Sequence, residues 1–159
     1  MSLRIGFGYD VHRLEPDRPF FLGGILIPHE KGAVGHSDAD TLIHAICDAL
    51  LGAANLRDIG FHFPDTSPDF KDIDSKLILK EVIRKITDKG YSIVNIDSTI
   101  TLQRPKISAL IPEMQMALAT TMGIPVEDIS IKAKTTEKLG FEGREEGLSV
   151  YAVALIQKS

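Results

Sequence analysis

Residues 3–12 alternate without interruption. Leu3, Ile5, Phe7, Tyr9 and Val11 interleave with Arg4, Gly6, Gly8, Asp10 and His12. A period of two is the pattern of a strand, because successive side chains point to opposite faces. One face of this strand carries two glycines, then a carboxylate, then an imidazole. Gly6 and Gly8 leave bare backbone, which a strand tolerates where something must approach closely. The pattern therefore predicts a strand with a close-packed side, and it sets Asp10 and His12 on that same side.

The stretch from Gly35 to Asp48 reads as the start of a helix that runs from Ser37 to near Asn55. Ser37 and Asp38 are good N-cap residues, and Asp40 three positions after Ser37 completes a capping box. Leu42, Ile46, Ala49, Leu50 and Ala53 form the core-facing stripe. Asp40, His44 and Asp48, four residues apart, form a second stripe, so His44 belongs to a polar face. Asp40 and Asp48 each lie one turn from His44, where either can accept from its ring. Asp10, His12 and His44 together offer one oxygen and two nitrogen donors. That set suits a Zn²⁺ with a fourth position open for substrate. The same residues also occur as satisfied histidines and solvated helix faces.

The rest of the chain mixes both periods. Pro16–Pro19 is a turn, and Phe20–Pro28 reads as a hairpin or bent strand around Gly23 and Gly24. Arg57–Pro68, crowded with Gly, Pro and Asp, reads as a loop free to close over a ligand. Asp72–Asp74 caps a second helix with Leu79, Val82, Ile83 and Ile86 on its stripe and Lys89-Gly90 as its stop. Tyr91–Gln103 is a strand with Val94, Ile96, Ile100 and Leu102 on one face. A third helix follows Pro105 and ends near Gly123. Its stripe is Leu110, Met114, Ala117, Leu118 and Thr121, Pro112 sits in its first turn, and Met114, Met116 and Met122 are core filler. Ile129–Thr135 is a strand with Ile129, Ile131 and Ala133 inward. Leu148–Ile156 is a last strand, apolar enough for a central position. The expected fold is α/β or α+β: one domain over residues 1–159, about four main strands in one mixed sheet, and helices packed on one face.

Two further segments carry charge in useful places. Lys132-Ala133-Lys134-Thr135-Thr136-Glu137-Lys138-Leu139-Gly140-Phe141, with Gly143-Arg144, runs from a strand into a turn of hydroxyls, amides and cations, which suits phosphate. Glu137 among phosphates needs a hard cation between, so it is a candidate Mg²⁺ or Mn²⁺ ligand. A charged surface turn has the same composition. Gln103-Arg104-Pro105-Lys106-Ile107 lies at a strand-to-helix junction, whose free N–H groups suit an anion or a base edge. The net charge of −4 leaves no basic excess for nucleic acid. No apolar run is long enough to span a membrane, and no leader pattern precedes the first strand. The single cysteine, Cys47, lies among apolar residues and reads as core; a cytoplasmic chain is expected.

These pieces carry a resemblance. Gly8-Tyr9-Asp10-Val11-His12, His36-Ser37-Asp38-Ala39-Asp40 through His44, Asp58-Ile59-Gly60 with Phe63-Pro64-Asp65, Gln103-Arg104-Pro105-Lys106, and Lys134–Phe141 with Gly143-Arg144 together resemble the 2-C-methyl-D-erythritol 2,4-cyclodiphosphate synthase family of non-mevalonate isoprenoid biosynthesis. The resemblance runs from the first strand to the last. It implies metal-assisted intramolecular phosphoryl transfer on 4-diphosphocytidyl-2-C-methyl-D-erythritol 2-phosphate, with CMP as leaving group. It implies Zn²⁺ on Asp10, His12 and His44, and a second divalent cation, Mg²⁺ or Mn²⁺, on Glu137. His36 and Ser37 would contact phosphate, with His36 and Thr135 stabilising the transition state. Asp58, Ile59, Gly60 and the Phe61–Asp65 loop (Phe63, Pro64 and Asp65 included) would bind the methylerythritol unit. Leu102–Ser108 and Ala133, Lys134 and Thr135 would hold cytidine, Lys106 would lie near phosphate, and Thr136, Phe141 and Arg144 would complete the phosphate site. The resemblance further implies a homotrimer with active sites between subunits. Some members hold an isoprenoid diphosphate on the three-fold axis. For that axial cavity Tyr9 and Glu145 depart from the usual pattern. The residue chemistry alone also fits a zinc phosphodiesterase or a non-catalytic binding subunit.

Overall fold

The computed structural model describes residues 2–159. Seven strands and five α-helices follow one another as β1 (Leu3–Pro16), β2 (Phe20–Leu22), β3 (Ile25–Ile27), β4 (Lys31–Val34), α1 (Thr41–Ala53), α2 (Ile59–His62), α3 (Ser75–Asp88), β5 (Tyr91–Thr101), α4 (Ile111–Met122), β6 (Ile129–Lys134), α5 (Gly140–Gly143) and β7 (Gly147–Lys158). Five strands form one mixed sheet in the order β4-β1-β7-β5-β6, and β2 with β3 forms a separate hairpin. Only the β5–β6 pair in the sheet is parallel. The class is α+β, with one strand more than the expected four. The extra strand is β4, four residues paired to the far end of β1, too short to announce itself by alternation.

The glycine face of β1 explains the architecture. A Cβ on Gly6 would stand 1.8 Å from the Ala49 carbonyl oxygen, and one on Gly8 would stand 1.9 Å from that of Ala45. Helix α1 therefore lies directly on the strand's backbone, and it is the close neighbour that the glycines admit. It covers β1 and β7 while α3 packs beside it. Leu42, Ile43, Ile46, Leu50 and Leu51 are all fully buried, each contributing about 1.5–3 kcal/mol. Arg4 Nε donates to the Ala53 carbonyl (2.7 Å) and Lys89 Nζ to that of Ala54 (2.6 Å). Both cations thus satisfy orphan carbonyls at the negative end of α1.

Helix α1 starts later than its sequence implies. Its N-cap is Asp40, whose carboxylate accepts from Ile43 N–H, and neither Ser37 nor Asp38 caps it. The same carboxylate accepts from Gly23 N–H (2.9 Å) and Gly24 N–H (2.7 Å) in the β2–β3 turn. Burial pushes the Asp40 carboxyl up, and these amide bonds oppose the shift. So most of the supposed polar stripe of α1 is internal: Asp40 is fully buried and His44 is 7% exposed, while Asp48 is half-buried.

Other expectations shift in smaller ways. The Arg57–Pro68 loop contains α2, capped by Asp58 through Phe61 N–H. Helix α3 has its cap at Asp74 and its end at Lys89. On α4, Met114, Leu118, Ala119 and Met122 face the core. Met116, two residues out of that phase, is 60% exposed and is not filler. A register shift at Ile93/Asn95 takes Val94 out of line with Ile96 and Ile100. Ala133, near the open end of edge strand β6, is exposed while Ile129 and Ile131 are buried. Strand β7 is central, and Cys47 is buried. Among the described residues no helix is long and apolar enough to cross a membrane.

The helices leave the other face of the sheet bare. Ile5 (72% exposed), Phe7 (63%), Tyr9, Val11, Tyr151 and Val153 form a continuous apolar row across β1 and β7.

Candidate metal centre and its cavity

Just beyond the two glycines, β1 presents Asp10 and His12 to the first turn of α1, where His44 stands. The donor atoms converge. Asp10 Oδ2 lies 2.9 Å from His12 Nε2 and 3.2 Å from His44 Nδ1, and the two nitrogens are 3.4 Å apart. Ligand atoms about 2.0–2.1 Å from a tetrahedral Zn²⁺ are separated by about 3.3–3.4 Å, so the three form one face of such a polyhedron. Among the described residues this is the one group of three potential ligands that comes together.

The outer nitrogen of each ring is held. His12 Nδ1–H donates to the Val34 carbonyl at 2.8 Å, so the unpredicted β4 aims this ring and leaves Nε2 for the shared point. His44 is held in the opposite sense: Nε2 lies 2.9 Å from Ser75 Oγ and 3.2 Å from Ser37 Oγ. Asp40 and Asp48, expected to orient this ring, do neither; Asp48 accepts from Ile59 N–H (2.8 Å) and braces α2. Burial pushes the Asp48 carboxyl up. Burial also works against the charge on Asp10, but the His12 and His44 imidazoles beside it outweigh burial and bring its carboxyl down to about 2. For His12 burial favours the neutral ring, and the Asp10 carboxylate outweighs it and raises the imidazole. The centre is therefore anionic at its oxygen, as a cation requires.

A cavity of about 480 Å³ opens from this centre. Asp10, His12, His36, Ser37 and His44 line one side, and Ile59, Gly60, Phe63, Pro64 and Asp65 line the other. His36 Nε2–H donates to the Ser67 carbonyl at 2.9 Å, which fixes the ring against the loop. Asp58 is absent from the lining; its carboxylate accepts from Phe61 N–H at 3.0 Å. Gly35 and Thr66 also line the cavity, and so do Phe70 and Ile78. The sequence neighbourhood of Phe70 and Ile78 held no signal for them, since they reach the cavity only because 68–75 folds back over 36–38 through Asp72 N–H to His36 O and Asp38 N–H to Ile73 O.

The remaining predicted residues stand apart from this cavity. Sheet register puts Asp10 level with Val150, Val150 with Ile100, and Ile100 with Ala133. Three strand spacings separate Asp10 from Ala133, about 14 Å. At that far edge Lys106, Lys134, Thr135 and Glu137 are exposed and Thr136 is half-buried. The two predicted segments there do meet: Leu102 N–H donates to the Lys134 carbonyl (2.9 Å), and Lys138 N–H to Gln103 Oε1 (3.1 Å). Glu137 N–H donates to Thr135 Oγ1. Phe141 lines a second cavity with His12 and Gly147, and Arg144 pairs with Glu146 at 2.8 Å.

The YgbB family model matches residues 3–157. The 2-C-methyl-D-erythritol 2,4-cyclodiphosphate synthase of Bacteroides fragilis is 62% identical over 99% of both chains. The enzyme of that name from Cytophaga hutchinsonii is 60% identical, again over 99% of each. Among solved structures, the bifunctional IspDF of Campylobacter jejuni superposes with a TM-score of 0.96 at 39% identity, over 99% of this chain and 43% of that one. A 2C-methyl-D-erythritol-2,4-cyclodiphosphate synthase in a CDP-bound form gives 0.90 at 38% identity, over 97% of this chain and 100% of that one.

Proposed function

The chain belongs to the YgbB family, and from that premise we propose how its residues carry out the reaction for which the curated relatives are named. It cyclises 4-diphosphocytidyl-2-C-methyl-D-erythritol 2-phosphate to 2-C-methyl-D-erythritol 2,4-cyclodiphosphate and releases CMP, a lyase step of the non-mevalonate isoprenoid route. An oxygen of the 2-phosphate bonds to the β-phosphorus. The bond from that phosphorus to the bridging oxygen breaks, and the oxygen leaves with CMP. Such a transfer needs alignment and charge neutralisation more than covalent help. Two phosphate charges 4 Å apart at an effective dielectric of about 20 repel by roughly 4 kcal/mol.

The observation that carries this reading is the convergence of Asp10, His12 and His44 on one point at the end of the cavity. Their donor set and spacing fit Zn²⁺, which when bound supplies positive charge to phosphate oxygens. Ser37 and His36 line the adjoining wall and contact phosphate, Ser37 as hydroxyl donor; the Ser67 carbonyl, which takes the Nε2 hydrogen of His36, holds that ring in place beside it. Ile59, Gly60, Phe63, Pro64 and Asp65 enclose the methylerythritol carbons, with Asp58 holding α2 in shape beneath them. Lys106, Ala133, Lys134, Thr135 and Thr136 receive the cytidine and its phosphates, Thr135 donates to the transferring phosphoryl group, and Phe141 and Arg144 close that end. Glu137 would hold a second divalent cation, Mg²⁺ or Mn²⁺, which would supply positive charge to the diphosphate.

The chain works as a homotrimer. Two observations support this: the apolar row from Ile5 to Val153 lacks a cover, and the Ala133–Glu137 turn lies three strands from the metal centre of its own chain. The turn then serves a neighbour's centre. Light scattering should give three times the 17.4 kDa chain mass. Phe7→Asp should leave single chains that retain helical circular dichroism but not activity; a native mass of one chain contradicts the trimer. A cytoplasmic site of action suits a chain whose one cysteine, Cys47, is a buried thiol.

Incubation with the cytidylyl substrate and Mg²⁺ tests the function. Phosphorus NMR should show the cyclic diphosphate and CMP in equal amounts, and a zinc chelator should stop both. A linear phosphate product would mean attack by water, and CMP release indifferent to chelator would remove the metal.

A further inference from the structure

We propose that Ser75 and Asp38 are positioning residues that decide which nitrogen His44 offers to a cation. Ser75, the first residue of α3, is fully buried. Its N–H donates to Asp38 Oδ2 at 3.0 Å, and its hydroxyl donates to Asp38 Oδ1. A carboxylate accepts only, so the one hydroxyl proton of Ser75 is committed to Asp38. Ser75 Oγ also stands 2.9 Å from His44 Nε2. With no proton left on the oxygen for that contact, the hydrogen must belong to Nε2.

A neutral imidazole protonated on Nε2 keeps its lone pair on Nδ1. Nδ1 is the atom that faces Asp10 Oδ2 and His12 Nε2. The opposite tautomer would place a hydrogen where a ligand lone pair is needed. Ser37 does not fix the choice. Its Oγ lies 3.2 Å from Nε2 and accepts from Ala39 N–H, but its own proton has no committed acceptor among the described residues, so it can donate or accept. Asp38 is itself tied down: its N–H donates to the Ile73 carbonyl (3.1 Å), and Oδ1 accepts from Asp40 N–H (3.1 Å). The loop before α1 and the first residue of α3 thus act together on a ring carried by α1. No periodicity or spacing in the sequence links position 75 to position 44.

The inference rests on the metal role assigned to His44, and two readouts separate them. The first is the tautomer in metal-free, ¹⁵N-labelled protein, read by long-range proton–nitrogen correlation at a pH where the ring is neutral. Native His44 should carry its proton on Nε2. In Ser75→Ala the Asp10 carboxylate becomes the stronger acceptor, and the proton should move to Nδ1. The second is zinc affinity by chelator competition. Ser75→Ala should weaken it about ten- to a hundredfold, and Ser75→Thr, which keeps the hydroxyl, should restore both readouts. Circular dichroism should be unchanged, because the α3 cap is Asp74. A native ring protonated on Nδ1, or a Ser75→Ala protein that binds zinc within twofold of native, overturns the proposal. A tautomer switch in protein that takes up no zinc at all would overturn the metal role and leave the positioning role standing.

Discussion

Replacing His44 with Ala should abolish CMP release and strip zinc from the protein while leaving the fold in place. The side chain supplies one of the three donor atoms that meet between β1 and α1. Loss of one ligand from three leaves Asp10 and His12, which are adjacent on one strand and open on the far side. A metal that stabilises a phosphoryl transition state is worth several kcal/mol, so turnover should fall by about a thousandfold or more. The fold should survive because α1 is held by Leu42, Ile43, Ile46, Leu50 and Leu51, none of which touches solvent. Metal analysis of purified protein, a CMP assay and circular dichroism check the three parts. Unchanged activity would refute the metal role outright.

Gly8→Ala should do the reverse, damaging the fold first and the site through it. The added methyl would stand 1.9 Å from the Ala45 carbonyl oxygen, with the Ala49 nitrogen 2.8 Å away. Both are backbone atoms of α1 and cannot turn aside, so the helix must lift off β1 and β7. Overpacking costs about 1–3 kcal/mol where side chains can yield, and here the loss should be at least about 3 kcal/mol. For a domain of this size that is a fall of about 6–12 °C in Tm. Lifting α1 also draws His44 away from Asp10 and His12, so zinc affinity should fall with stability. Gly52→Ala provides the contrast. Gly52 lies within α1, and a Cβ there meets nothing within 4 Å. The same substitution should stabilise by about 0.5–1 kcal/mol. A Gly8→Ala protein with native Tm would mean that α1 does not rest on the strand as described.

These two substitutions mark what the sequence could and could not reveal. Period two in residues 3–12, broken by glycine on one face, told of a strand and of a close approach; α1 is what approaches. Asp10, His12 and His44 were legible because residue chemistry restricts what a carboxylate and two imidazoles can share. The resemblance supplied the rest of the site list, of which the cavity gathers His36, Ser37, Ile59, Gly60, Phe63, Pro64 and Asp65 but not Asp58. What stayed hidden was long-range. Strand β4 exists because β1 runs on to Pro16 and offers it an edge. Local spacing puts Asp40 on the far side of a capping box, yet it is the cap, and its second task lies in a turn 16–17 residues upstream. The ring of His44 is held by Ser75, thirty-one positions away, and not by the acidic neighbours on its own helix. Local pattern reports the period of an element and the chemistry of a side chain. It is silent on which loop folds back over which, and on what covers an apolar row facing away from the core.

The most direct measurement is anomalous scattering at the zinc edge from crystals grown with the metal. A single peak per chain, about 2.0–2.1 Å from Asp10 Oδ2, His12 Nε2 and His44 Nδ1, is the predicted result. A peak elsewhere, or none while Asp10, His12 and His44 turn to separate partners, would contradict it.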